Sequence, residues 1–129
     1  MKRIAVAACL IVGGLTCAGA EEQQTSKAYS ACMDKAGGAI SAMQNCIGAE
    51  LALQDNRLNA AYKALLASVA EKRKIQLRDV QRKWVAFRDA NCAFYADPAG
   101  GQADRLAANE CVITHTARRA FELENLKAE

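Results

Sequence analysis

Residues 41–69 read SAMQNCIGAELALQDNRLNAAYKALLASV, and the order of apolar positions in this stretch decides the fold class. Ile47, Leu51, Leu58, Tyr62, Leu65 and Val69 recur at spacings of three, four or their sums, which lines them up along one side of a long helix. Ser41 and Gln44 stand at the N-cap and N3 spacing of a capping box, so the helix is expected to open there. Upstream, residues 25–36 fit a short helix closed by Gly37-Gly38, since glycine supplies the positive φ of a helix C-terminus. Downstream, an unbroken helix from 41 to 95 would far exceed the usual ~8–20 residues. A break is therefore expected between 67 and 74, where Ser68 and Glu71 repeat the capping-box spacing. The third helix then carries Leu77, Val80, Trp84, Phe87 and Tyr95 inward. Asp97-Pro98-Ala99-Gly100-Gly101 is the clearest turn, and a fourth helix follows with Leu106, Ile113, Ala117, Ala120 and Leu123 on its inner side. The expected fold is all-α, a small bundle of antiparallel helical hairpins with one short and three longer helices.

Composition agrees with that reading and removes several classes of protein. The 129 residues suffice for one domain. Apolar residues make up 52% and aromatic residues only 5%, so the core must come from helices approaching closely on small side chains. Residues 1–20 stand apart as a signal peptide: Lys2-Arg3 is a basic start, Ile4 to Leu15 an apolar run, and Ala18-Gly19-Ala20 a small-residue cleavage site. Two other readings of this segment are a membrane anchor, against which Gly13-Gly14 and the cleavage site argue, and lipid attachment at Cys17, against which the bulk of Thr16 argues. Cleavage leaves 21–129 as a single exported domain, periplasmic or secreted, with no stable membrane insertion. It also removes Lys2 and Arg3 without any acid, lowering the net charge from +3 to +1. So small a charge offers no long-range field for nucleic acid, and the clusters Lys72-Arg73-Lys74, Arg82-Lys83 and Arg118-Arg119 read as solvated faces.

Four cysteines remain after residue 20, and in an exported chain they imply two disulfides. In an antiparallel hairpin, residues equidistant from the turn lie opposite each other. Cys32 and Cys46 are equidistant from position 39, beside Gly37-Gly38, and Cys92 and Cys111 from position 101.5, at the Gly-rich end of the 97–101 turn. The pairing expected is Cys32 with Cys46 and Cys92 with Cys111, each contributing about 3 kcal/mol in the chain-entropy account.

The same arithmetic on the central hairpin, with its turn near 71.5, sets Asp55 opposite Arg88, Asn59 opposite Trp84 and Tyr62 opposite Gln81. Such a set serves either as a buried polar layer that fixes the register of Ala-rich helices or as a polar cleft that binds a ligand. His115, the only histidine, is equidistant with Arg88 from the last turn and is expected to join the layer. One histidine and four oxidised cysteines supply no metal set, and no cofactor or nucleotide motif is present: there is no G-x-S-x-G, and neither glycine pair continues into a phosphate loop. Glu50 with Asp55, or Asp89 with Glu110, offers the carboxylate pair of a glycosidase, but a chain this small scarcely provides the long substrate cleft.

The run Cys46, Glu50, Asp55-x-x-Leu58-Asn59-x-x-Tyr62-x-x-Leu65, then Gln81-Arg82-x-Trp84-x-x-x-Arg88-Asp89-x-x-Cys92, then Cys111-x-x-x-x-Thr116-x-x-Arg119-x-x-x-Leu123 resembles the LprI-type lysozyme-inhibitor-like domain of exported bacterial proteins. The resemblance spans about residues 32–123. It implies a small disulfide-bonded helical domain that is not an enzyme and has a protein partner, lysozyme. The motif residues are mainly framework candidates, with exposed loop residues Lys72, Arg73 and Arg105 as candidate partner contacts. Two features depart from the pattern: Ala70-Glu71 replaces a Ser-Pro break found in many members, and a net charge of +1 is not the acidic balance expected of an inhibitor steered toward a basic enzyme. The alternative reading is an envelope structural, stress or immunity-type protein with a different partner.

Overall fold

The computed structural model describes residues 25–126, so the expected signal peptide and Cys17 lie outside the described residues. Four helices follow one another: α1 (Lys27–Ala36), α2 (Ile40–Ser68), α3 (Glu71–Ala93) and α4 (Gly101–Asn125). No strand occurs among the described residues. Both expected disulfides are present, Cys32–Cys46 across the α1/α2 turn and Cys92–Cys111 across the α3/α4 turn. Gly37 and Gly38 take φ of 55° and 85°, values open to glycine at little cost, and reverse the chain between α1 and α2.

Two helix starts differ from expectation. Ser41 lies inside α2, whose N-cap is Ala39 with no side-chain cap, so the Ser41–Gln44 box does not form. Ser68 is the last residue of α2, and its hydroxyl donates 2.8 Å to the Leu65 carbonyl instead of capping α3. The break falls where expected, at Val69 and Ala70, both extended. Tertiary packing rather than local capping sets it, because Val69 is pinned against the apolar cluster of Leu58, Ala61, Leu65, Ala120 and Leu123.

Which helices touch is the larger correction. The most extensive contact joins α2 to α4, whereas α3 rests on α4 and barely meets α2. Ala117 and Ala120 are fully buried, as is Thr116, and side chains this small let the α4 backbone approach α2 closely. Since α3 runs antiparallel to both of its chain neighbours, α2 and α4 lie parallel. The inner sides of α2 and α4 are as expected, with Ile47, Leu58, Leu65, Ile113, Ala117, Ala120 and Leu123 buried. The inner side of α3 is not: Leu77 and Trp84 pack against the cluster, but Val80 is 50% exposed, Phe87 57% and Tyr95 52%. Cys92 is the only buried residue of α3.

Candidate functional site

The polar residues separate into two groups. The first centres on Trp84 of α3, whose ring lies 5.2 Å from the Arg88 guanidinium and 5.9 Å from that of Arg119, within cation–π range of both. Arg88 donates to the Thr116 hydroxyl (3.1 Å) and to Asp89 (2.9 Å from Nε), while Thr116 donates back to the Val112 carbonyl (2.7 Å). Arg119 donates to Gln81 (3.0 Å) and Glu122 (2.8 Å). Of the sequence-derived layer, Asp55 does approach Arg88, at 3.9 Å. The other two cross-hairpin pairs do not form: Asn59 is exposed, and Gln81 turns to Arg119 of α4 rather than to Tyr62, which packs on the apolar cluster. The reason is the insertion of α4, which becomes α3's neighbour in place of α2. The members of the expected layer are half-buried or exposed, whereas the family-motif residues Thr116 and Arg119 are buried and Asp89 is exposed. His115 stands apart from it, with Nε2 3.3 Å from the Asn91 amide and its ring edge-on to Phe87 at 5.8 Å.

The second group was not foreseen. Glu50 is 3% exposed, and its carboxylate accepts from the Ser26 backbone N–H (2.8 Å), the Ser26 hydroxyl and the Gln54 amide (2.7 Å). Ser26 is itself the N-cap of α1, its Oγ accepting from Tyr29 N–H, so a buried carboxylate on α2 completes the α1 cap where the helix dipole favours negative charge. The line continues along α2 from Gln54 to Arg57, which donates 2.7 Å to Glu124 of α4. Spacings of four and three at 50, 54 and 57 were the available signal, but the sequence does not show that Ser26 would return to meet them. Glu50 and Asp89 are thereby engaged in the framework, and the glycosidase pairs Glu50 with Asp55 and Asp89 with Glu110 gain no support.

What remains outward is α3 itself. Arg73, Gln76, Val80, Lys83, Phe87, Ala90 and Phe94 follow one another at alternating spacings of three and four, and every one is exposed. Phe94, at the C-cap of α3, is 88% exposed. Seven Lys and Arg against three Asp and Glu make α3 the basic element of a nearly neutral chain. Val80, Phe87 and Phe94 thus add exposed apolar area along one side of a basic helix. Lys72 and Arg73 lie in the first turn of α3 and Arg105 is the fifth residue of α4, not in loops as expected. Because the two helices are antiparallel, Arg105 is at the opposite end of the bundle from Lys72 and Arg73.

A protein-family model described as lysozyme inhibitor LprI matches residues 32–123, from the first disulfide cysteine to the last buried leucine of α4. The chain belongs to the LprI family. No curated protein and no solved structure is significantly similar to it. The family is described as an inhibitor, not as a catalytic family. Among the described residues, no helix is long and apolar enough to cross a membrane.

Proposed function

We propose that this LprI-family chain is exported after cleavage near Ala20 and acts by binding a protein, inhibiting lysozyme with the outer side of α3. The observation that carries this reading is the exposed row of Val80, Phe87 and Phe94 on α3, interleaved with Arg73 and Lys83, in a domain matched over 32–123 to a lysozyme-inhibitor family. Glycosidases of this kind cleave between two carboxyl groups in a cleft shaped for a sugar chain. A helix flank with aromatic rings and cations along its length complements such a cleft: the rings occupy sugar-stacking surface and the cations meet the carboxylates. Lys72 and Arg73 are the foremost charged contacts, and Arg105, at the far end, is a subsidiary one.

The mature net charge of +1 gives no long-range attraction to a basic enzyme, so affinity has to come from local contacts rather than from steering. That same positive bias on α3 favours a second reading, an acidic envelope protein as the partner in place of lysozyme. Titrating oxidised 21–129 into lysozymes of different types, with lytic rate and binding heat followed at two salt concentrations, separates them. Saturable inhibition at stoichiometric protein supports the first reading. Absence of binding to every type rejects it and directs the search to acidic envelope partners.

A further inference from the structure

The C-terminal disulfide has a neighbour that the other lacks. Cys111 and His115 are four residues apart on one side of α4, and Cys92 of α3 meets them, so that the two sulfurs and an imidazole nitrogen all lie within 4.8 Å of one another. It is the one grouping of this kind among the described residues, and His115 is the only histidine of the chain. Cys92 is buried, while Cys111 and His115 are half-buried. Oxidised cysteines do not ligate a metal, but reduced ones do. Four residues apart on a helix, Cys111 and His115 share a face as two metal-binding histidines at i and i+4 do, and the hairpin supplies Cys92 as the third donor.

We propose that reduction of Cys92–Cys111 turns this end of the α3/α4 hairpin into a binding site for Cu(I), held by the two cysteine sulfurs and one ring nitrogen of His115. A dithiol or phosphine supplies the two electrons: the S–S bond breaks and two thiols form, a dithiol giving up its two protons and leaving as its disulfide, a phosphine leaving as its oxide with water supplying the oxygen and the two thiol protons. Binding of Cu(I) then releases the two thiol protons, giving a bis-thiolate, mono-imidazole centre with a net charge of −1 from the metal and its two thiolates. The donor set selects the ion. Thiolates favour soft metals, and three donors satisfy Cu(I), whereas structural Zn²⁺ takes four. The Cα atoms of the two cysteines are 5.5 Å apart, so both sulfurs reach one ion without rearrangement of the hairpin. Asn91 Nδ2 lies 3.6 Å from Cys111 Sγ and is placed to donate to the thiolate, and Phe87 packs edge-on against the His115 ring. The Cys32–Cys46 pair has no imidazole to add and serves as an internal control.

The test uses 21–129 reduced anaerobically with a phosphine and titrated with Cu(I) against a chromogenic Cu(I) chelator. Wild type is expected to hold one equivalent at least about tenfold more tightly than His115→Ala or a Cys92→Ser/Cys111→Ser double variant, a loss no smaller than that from removing a group that merely hydrogen-bonds a ligand. Cu(I) is diamagnetic, so the His115 ring resonances report the bond directly and should shift at one equivalent. Equal affinity in wild type and His115→Ala, or His115 resonances unmoved at one equivalent, overturns the proposal. Should reduction itself melt α3 and α4, recovery of helical circular dichroism on adding Cu(I) to wild type but not to His115→Ala supports the site, and failure to recover it overturns the site.

Discussion

Glu50 holds the start of α1 against α2, with both carboxylate oxygens accepting hydrogen bonds at 3% exposure. Replacing it with Ala strands Ser26 and Gln54 donors, and we expect a loss of about 1–3 kcal/mol in urea unfolding, with Glu50→Gln, which keeps one acceptor, costing less. Tyr29 sits beside this carboxylate. Burial, then the charges of Glu110 and Glu50, raise its phenol above the ordinary value of 10.0. A raised pKa means the folded state holds the proton longer than the unfolded one. Its contribution is therefore complete below pH 10 and is lost as pH rises through the elevated value. Tyr29→Phe should flatten the alkaline end of a stability-versus-pH curve, and an unchanged alkaline slope would remove Tyr29 as its cause. At the other group, Arg119→Ala should shift the emission of Trp84, the only tryptophan, and destabilise by roughly 1–3 kcal/mol, since it removes a ring contact and strands Gln81. Sequence spacing picked out Trp84 and Arg88, and the family resemblance Arg119, but neither joined Glu50 to Ser26. The former lie on regular helix faces, whereas Ser26 meets Glu50 only after a chain reversal whose angle no periodicity encodes.

Among elements, α2 and α4 carry the core and α3 the exposed surface. The helices themselves were legible because apolar spacing, the two glycine-containing turns and the cysteine symmetry all pointed the same way. Their adjacency was not, since a stripe of Ala, Leu and Tyr fits either neighbour. What decided it was the size of Thr116, Ala117 and Ala120, which admits α2 and pushes α3 outward. With Cys92 its only buried residue, α3 should open locally far below the global unfolding free energy. Hydrogen exchange should show amides of 74–83 exchanging faster than those of 54–65 and 113–123, and equal protection would contradict this layering. Glu71 and Asp79, held low by hydrogen bonds to Lys74 and to Lys83 and Arg82 respectively, support α3 above the ordinary carboxylate range. That support is lost as pH falls through their lowered values, and salt screens it because the groups are exposed.

For the whole molecule, two disulfides brace a core built from few large side chains, each closing a loop of a size associated with about 3 kcal/mol. The frame of α1, α2 and α4 is fixed by Cys32–Cys46, the Ser26–Glu50 cap and the Arg57–Glu124 pair, and α3 is tethered to it by Cys92–Cys111 and the Trp84 cluster. The proposed partner rests on family membership and the proposed surface on the exposure of α3, so a single comparison tests both. Inhibition of lysozyme by oxidised 21–129 would be measured for wild type, for Phe87→Ser/Phe94→Ser on the outer side of α3, and for Leu53→Ser on exposed α2, after circular dichroism has shown all three folded. The account predicts saturable inhibition by wild type and Leu53→Ser, with at least about a tenfold weaker effect from the α3 variant, as for the loss of hot-spot aromatics. Undiminished inhibition by the α3 variant would contradict the placement of the binding surface, and no inhibition by wild type would contradict lysozyme as the partner.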